Sequence, residues 1–363
     1  MNRLQRLYSE FGQSPWIDNL KRDLITSGEL AAMVRSGVRG QTSNPTIFQK
    51  AITGSTEYNT QFASLIASGA SIDDAYWTMV VDDINGALDV FAPLHQESGG
   101  ADGFVSLEVS PLLAHDTMGT ADAARQLHER IARPNLMVKI PGTAEGLPVL
   151  AQMFAEGRNI NVTLIFSLER YAAIIDAYIA GLEANPGSDL SNVHSVASFF
   201  VSRVDSEIDK RLDVLGTPQA LSLRGKAAVA QAQMAYQLFL EKFSGSRWTA
   251  LAARGANVQR PLWASTSTKN PSYPELLYVD TLIGPDTVNT LPDATLAALA
   301  ERGDLARTLD ADPAEAALVL TELAEVGVDV ASVAQLLELE GVASFAKSFD
   351  DLLAALASKA AAL

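Results

Sequence analysis

Eight short apolar or alternating runs, each followed by a longer stretch with helical spacing, limit what this chain can become. They lie at residues 16–19, 39–43, 104–109, 136–140, 159–166, 193–200, 261–266 and 287–290, the first and last being the least marked. Between them apolar residues recur at i, i+3 and i+4. The clearest case spans 72–94, with Ser71 placed to cap it and Ala75, Val81, Ile84, Leu88 and Phe91 on one stripe. Further helices are expected over 28–35, 121–132, 168–183, 204–215 and 223–242. Eight strands alternating with helices and no evident linker predict an α/β fold, a closed (β/α)8 TIM barrel. An open doubly wound sheet is the alternative, but no GxGxxG follows an early strand.

The 363 residues exceed the roughly 250 of a typical barrel. The surplus falls in helical insertions and in an Ala/Leu-rich tail, residues 293–363, with helices expected over 304–319, 313–326 and 330–356. We read residues 1–363 as a single domain with that tail packed on the barrel. With 27 basic against 43 acidic residues, the net charge of −16 speaks against nucleic-acid and membrane-surface partners. Any anionic substrate must then be held by local cations. There is no cysteine, and the four histidines (His95, His115, His128, His194) show no ligand spacing, so no metal site is expected. No apolar leader opens the chain and no run reaches the roughly 18 apolar residues of a membrane span, which predicts a cytoplasmic protein.

Inside this pattern one residue is out of place. Lys139 interrupts the apolar run Leu136-Met137-Val138-Lys139-Ile140, just before Pro141-Gly142-Thr143. Burying an ammonium is costly unless it is paired or deprotonated. A lysine of ordinary pKa, about 10.4, is neutral only about once in a thousand near pH 7.4. Two readings are open: a strand-end lysine snorkelling to solvent, or an amine nucleophile. Strand phase bears on the choice. Ser106, Glu108 and Ser110 share one face of their run, and Asn161 and Thr163 share one face of theirs. Asp18 ends the first run and Asn44 follows the second. Each has a plain explanation, such as Asp18 capping a helix near Leu20. Together they are an amine, two carboxylates and neutral hydrogen-bonders on the strand ends of a barrel, the set that imine chemistry without a metal requires.

Thr42-Ser43-Asn44-Pro45-Thr46 and Val138-Lys139-Ile140-Pro141-Gly142-Thr143, in that order, give the chain its resemblance to the transaldolases. The likeness covers most of the chain, through Asp18, the S-x-E-V run at 106–109, the N-x-T-L-x-F-S run at 161–167 and Ala264-Ser265-Thr266. It implies cofactor-free transfer of a dihydroxyacetone unit between sugar phosphates in the non-oxidative pentose phosphate pathway. Sedoheptulose 7-phosphate and glyceraldehyde 3-phosphate would give erythrose 4-phosphate and fructose 6-phosphate. The resemblance makes Lys139 the Schiff-base lysine, Asp18 the acid/base at the bond broken or made, and Glu108 with Thr163 the pair that places a water. Asn44, Asn161 and Ser198 would hold substrate hydroxyls, and Arg203 and Ser265 the phosphate. Where the better-known subfamily has a second arginine, this chain has Ser267, and Lys269 is expected to supply the cation. The partners implied are sugar phosphates and, for the chain itself, a monomer or homodimer. Three rivals stand beside this reading: a fructose 6-phosphate aldolase using the same imine, a pyridoxal-phosphate enzyme, and a non-catalytic sugar-phosphate sensor. Chain length and Glu108 favour transfer over the small aldolases. No phosphate cup supports the second rival, and the third needs no buried amine.

Overall fold

A computed structural model of the chain describes residues 1–363. Eight parallel strands close into a barrel: β1 (Gln13–Asp18), β2 (Gly40–Thr42), β3 (Phe104–Glu108), β4 (Leu136–Pro141), β5 (Ile160–Ile165), β6 (Ser195–Phe200), β7 (Gln259–Ala264) and β8 (Thr287–Leu291). Each pairs with the next, and β8 returns to β1. The fold is the expected (β/α)8 barrel, with helices flanking it. The open sheet is excluded.

The marginal first strand is longer than its apolar core suggests, starting at Gln13 rather than Trp16. Polar residues open it: the Gln13 side-chain amino group donates to the Leu282 carbonyl at 2.6 Å and the Thr287 hydroxyl at 2.9 Å. Trp16 points inward and fills the axis, its ring centroid 6.4 Å from that of Phe104. Gly40 on β2 makes this possible, because a Cβ there would lie 2.4 Å from the indole. β3 stops at Glu108, so Ser110 leaves the face it was expected to share and precedes a short 3-10 turn at Pro111–Leu113.

The long helix Ile72–Glu97 starts on a Ser71 cap, as its sequence predicts, and runs three residues beyond 94. A helix that hydropathy did not indicate, Arg3–Phe11, precedes the barrel; only Leu4 and Leu7 of it are buried. A capping box (Asn2 with Gln5) starts it and Gly12, at φ +70°, ends it. In the tail, helices occupy Asp293–Arg302, Pro313–Glu325 and Val330–Ala360. The helix expected over 304–319 does not form in its first half. Leu309 is instead drawn down against Gly284 and donates its amide to Ile283, while Asp312 caps the helix that starts at Pro313. None of the helices is long and apolar enough to cross a membrane.

Helix Val330–Ala360 lies over the C-terminal ends of the strands. It buries Val333, Leu337, Phe345, Phe349, Leu352 and Leu356, each worth about 1.5–3 kcal/mol of hydrophobic stabilisation. Ser348 hydrogen-bonds Thr46 at 2.8 Å, which ties it to helix Pro45–Gly54 beside the barrel mouth.

Candidate active site

Parallel register brings the central residues together. Glu108 on β3 pairs with Lys139 on β4, Lys139 with Asn161 on β5, and Asp18 on β1 with Thr42 on β2. Because alternate residues of a strand face the interior, one layer of polar side chains meets at the C-terminal end of the barrel. Lys139 is only 5% exposed and does not snorkel; its Nζ donates to the Ser43 carbonyl at 3.2 Å and lies 3.5 Å from Glu108 Oε2.

Glu108 is equally buried, and neither of its carboxylate oxygens has a hydrogen-bond partner. Burial pushes its pKa up to about 7; Lys139 opposes the shift and Asp18 adds to it. The Thr163 hydroxyl, on the neighbouring strand beyond Lys139, is buried and unpartnered too. Immediately after it the β5–β6 register slips, and Leu164 takes φ +60°, a conformation strained for a leucine. Three buried acceptor atoms around one amine are thus left open, where more than nine in ten buried polar groups normally find partners.

Asp18 sits at the mouth, half-buried. Thr42 donates to it at 2.6 Å, and the Thr42 and Thr290 hydroxyls are 2.6 Å apart. As the single Thr42 proton goes to Asp18, Thr290 donates to Thr42, which forms a two-step hydroxyl relay. Burial raises the Asp18 pKa, while Lys139 and the Thr42 bond pull it down. The Asn161 amide donates to Ser106 at 3.0 Å, and its oxygen accepts from Ser198 at 2.7 Å, which fixes both orientations. Asn44 has a structural duty: its side-chain oxygen caps helix Pro45–Gly54 by accepting the Ile47 amide at 3.0 Å, leaving its amino group toward the cleft. Asp18 caps nothing, since the next helix begins at Arg22.

An open cleft of about 380 Å³ leads down to Lys139. At its outer end lie Arg203, Ser265, Ser267 and Lys269. Arg203 has no ion-pair partner; its guanidinium lies 5.4 Å from the Phe200 ring centroid. Lys269 Nζ donates to Ser267 at 2.5 Å, and its pKa is held below the ordinary lysine value by burial and by Arg203. Ser265 is left-handed, at φ +57°, and its hydroxyl is 3.0 Å from that of Ser202.

Sequence reasoning left out Thr42 and Thr290 as a relay, Lys50 at the rim, and Ser344 and Phe345, which the C-terminal helix adds to the cleft wall. Strand phase held a signal for the two threonines. Nothing local marks the others, whose position depends on how two distant helices cross the mouth.

The fold and this mouth define a class: a (β/α)8 barrel presenting a buried amine and two carboxylates at the C-terminal ends of its strands. Residues 15–356 match the family model described as Transaldolase/Fructose-6-phosphate aldolase, and the chain belongs to that family. It is 50% identical to Transaldolase 1 of Streptomyces coelicolor over 356 residues, covering 97% of this chain and 93% of that one. Transaldolases of a Parafrankia species (50%, with 95% of each chain covered) and of Thermobifida fusca (48%, with 99% of this chain and 98% of that one) are similarly alike.

Proposed function

We propose that this chain is a transaldolase, working as one unit of 1–363 in the cytoplasm, as a monomer or homodimer, without added cofactor. The observation that carries the mechanism is Lys139 Nζ held 3.5 Å from a buried carboxylate that has no other partner. Lys139 attacks the ketose carbonyl, and Glu108 gives a proton to the departing hydroxyl, so that water leaves and an iminium forms. A water held between Glu108 and Thr163 passes the protons, and a carboxyl group with a pKa of about 7 moves them both ways near neutrality. Asp18 takes the proton of the hydroxyl on the carbon that is lost. The carbon–carbon bond then breaks, its electron pair stays as the enamine, and the aldose departs. Addition to a second aldose reverses the sequence. Asn161, fixed by Ser106 and Ser198, and the free amino group of Asn44 hold substrate hydroxyls. Arg203, Ser265 and Lys269, which line the same cleft, hold the phosphate; an anion there offsets the repulsion by which Arg203 lowers the Lys269 pKa.

Borohydride added with fructose 6-phosphate should trap a covalent adduct on Lys139, located by peptide mass mapping. An adduct on another lysine, or none in an active preparation, sinks this mechanism. Lys269→Ala should raise KM for phosphorylated substrates about tenfold and spare dihydroxyacetone; equal loss for both removes Lys269 from the phosphate seat.

The family description also covers fructose 6-phosphate aldolases, whereas the relatives compared above are called transaldolases. Dependence of fructose 6-phosphate turnover on an added aldose separates the two. Turnover of either kind disposes of the sensor reading, and an absorption spectrum without a pyridoxal band disposes of the pyridoxal-phosphate enzyme.

A further inference from the structure

Arg203 and Lys269 come from different parts of the chain, and the mouth alone does not explain why they converge. Arg203 opens helix Ser202–Leu215, while Lys269 sits in the segment after β7. That helix presents two buried carboxylates one turn apart, Asp205 and Asp209. Asp209 accepts from the Tyr273 hydroxyl at 2.5 Å and from the Gly225 amide at 3.0 Å. Asp205 accepts from the Tyr278 hydroxyl and from the Ala228 amide, both at 2.8 Å. Both tyrosines belong to the segment that carries Lys269. The single Thr268 hydroxyl proton is shared between the carbonyls of Pro274 and Glu275, its oxygen 2.9 Å from each, and so cinches residues 268–275 into a closed loop. Lys269 therefore moves with Tyr273. Gly225 makes the seat for that tyrosine: a Cβ there would lie 2.8 Å from the ring.

We propose that Tyr273 and Tyr278 are positioning residues, which anchor the Lys269 loop to the Arg203 helix and so set the spacing of the two cations for a sugar phosphate. This rests on the reading of Arg203 and Lys269 as the phosphate seat. The carboxylates serve as anchors because each also holds a backbone amide of the following segment, so neither can turn away without breaking a second bond. Where the second family arginine is missing, a lysine's point charge lacks the directional fork that would orient itself on a phosphate. The tethers supply that orientation from outside.

The test is steady-state kinetics of Tyr273→Phe, Tyr278→Phe and Lys269→Ala, singly and with Tyr273→Phe placed in the Lys269→Ala background. Tyr58→Phe is the control, since Tyr58 makes the same kind of bond to buried Asp83 at 2.8 Å but carries no part of the loop. Tyr273→Phe should raise KM for fructose 6-phosphate and erythrose 4-phosphate about fivefold, from the loss of one charge-assisted hydrogen bond, with kcat within about twofold of the parent. Tyr278→Phe should act alike, Tyr58→Phe should leave these KM values alone, and Tyr273→Phe should add nothing once Lys269 is gone. A KM rise in Lys269→Ala with none in either loop-tyrosine variant overturns the tether and leaves the phosphate seat standing. No rise in any of the three removes the seat, and the tether with it. A rise that persists in the Lys269→Ala background, or that Tyr58→Phe reproduces, shows a general structural effect and overturns the proposal.

Discussion

Asp102, two residues before β3 begins, and Glu108, the last residue of β3, lie at opposite ends of the barrel, which treats them in opposite ways. Asp102, at the N-terminal end, is fully buried and accepts from Arg39 Nε at 2.6 Å, the Ser14 hydroxyl at 2.7 Å, Arg260 Nη1 at 3.1 Å and the Trp16 indole at 3.4 Å. Glu108, at the C-terminal end, has a lysine at 3.5 Å and no hydrogen bond. Both carboxylates are removed from water, and only one is compensated. A carboxylate saturated with donors has no capacity left for a substrate or a water, whereas an open one is reactive and destabilises the fold by about 1–3 kcal/mol. The two carboxylates divide the work: Asp102 at the bottom locks the closure through its donors, and Glu108 at the top is left open for chemistry.

The largest effect that could break this contrast is at the bottom. Asp102→Ala should destabilise the protein by about 3–5 kcal/mol in urea unfolding, because it leaves Arg39 and Arg260 without their buried counter-charge. Borohydride trapping per folded molecule should be kept. A loss below about 1 kcal/mol would show that the bottom cluster does not lock the barrel. Glu108→Gln should behave the other way, losing roughly 10²- to 10⁴-fold in kcat with little loss of stability. A stability loss as large as that of Asp102→Ala would erase the distinction between the two ends.

Much of the top was legible in the sequence because a strand has a period of two. Phase alone put Glu108, Lys139 and Asn161 on inward faces, and the register of adjacent parallel strands lays them side by side. Periodicity likewise disclosed the barrel. It failed where backbone is held by contacts rather than by pattern: residues 304–312 have helical composition, yet Leu309 is drawn off to cover Gly284. The bottom cluster was invisible for a related reason. Arg39, Asp102 and Arg260 lie in three unrelated segments, and only barrel closure brings them to one point. Asn44 shows the opposite limit. The Asn-Pro pair reads equally as a substrate contact and as a helix cap with proline at the first helical position, and the cap is what its oxygen makes.

The finest test of the contrast is the pH dependence of stability. In the unfolded chain the Glu108 carboxyl ionises near its ordinary value of 4.5, and in the folded protein burial delays this to about 7. Between those values the folded state keeps a proton that the unfolded state has lost, so stability falls as pH rises through the window and levels off above it. The shift corresponds to at most about 3 kcal/mol. A glutamine in place of Glu108 cannot titrate. Glu108→Gln should therefore gain on the parent protein as pH rises from about 4.5 to about 7.5, by up to that amount, in paired urea unfolding curves at about pH 5 and pH 8. A difference that does not change with pH would mean that Glu108 is not held in its neutral form by burial. One that changes with the opposite sign would mean that Lys139 compensates Glu108 as fully as the arginines compensate Asp102, and the two ends of the barrel would then differ in geometry only.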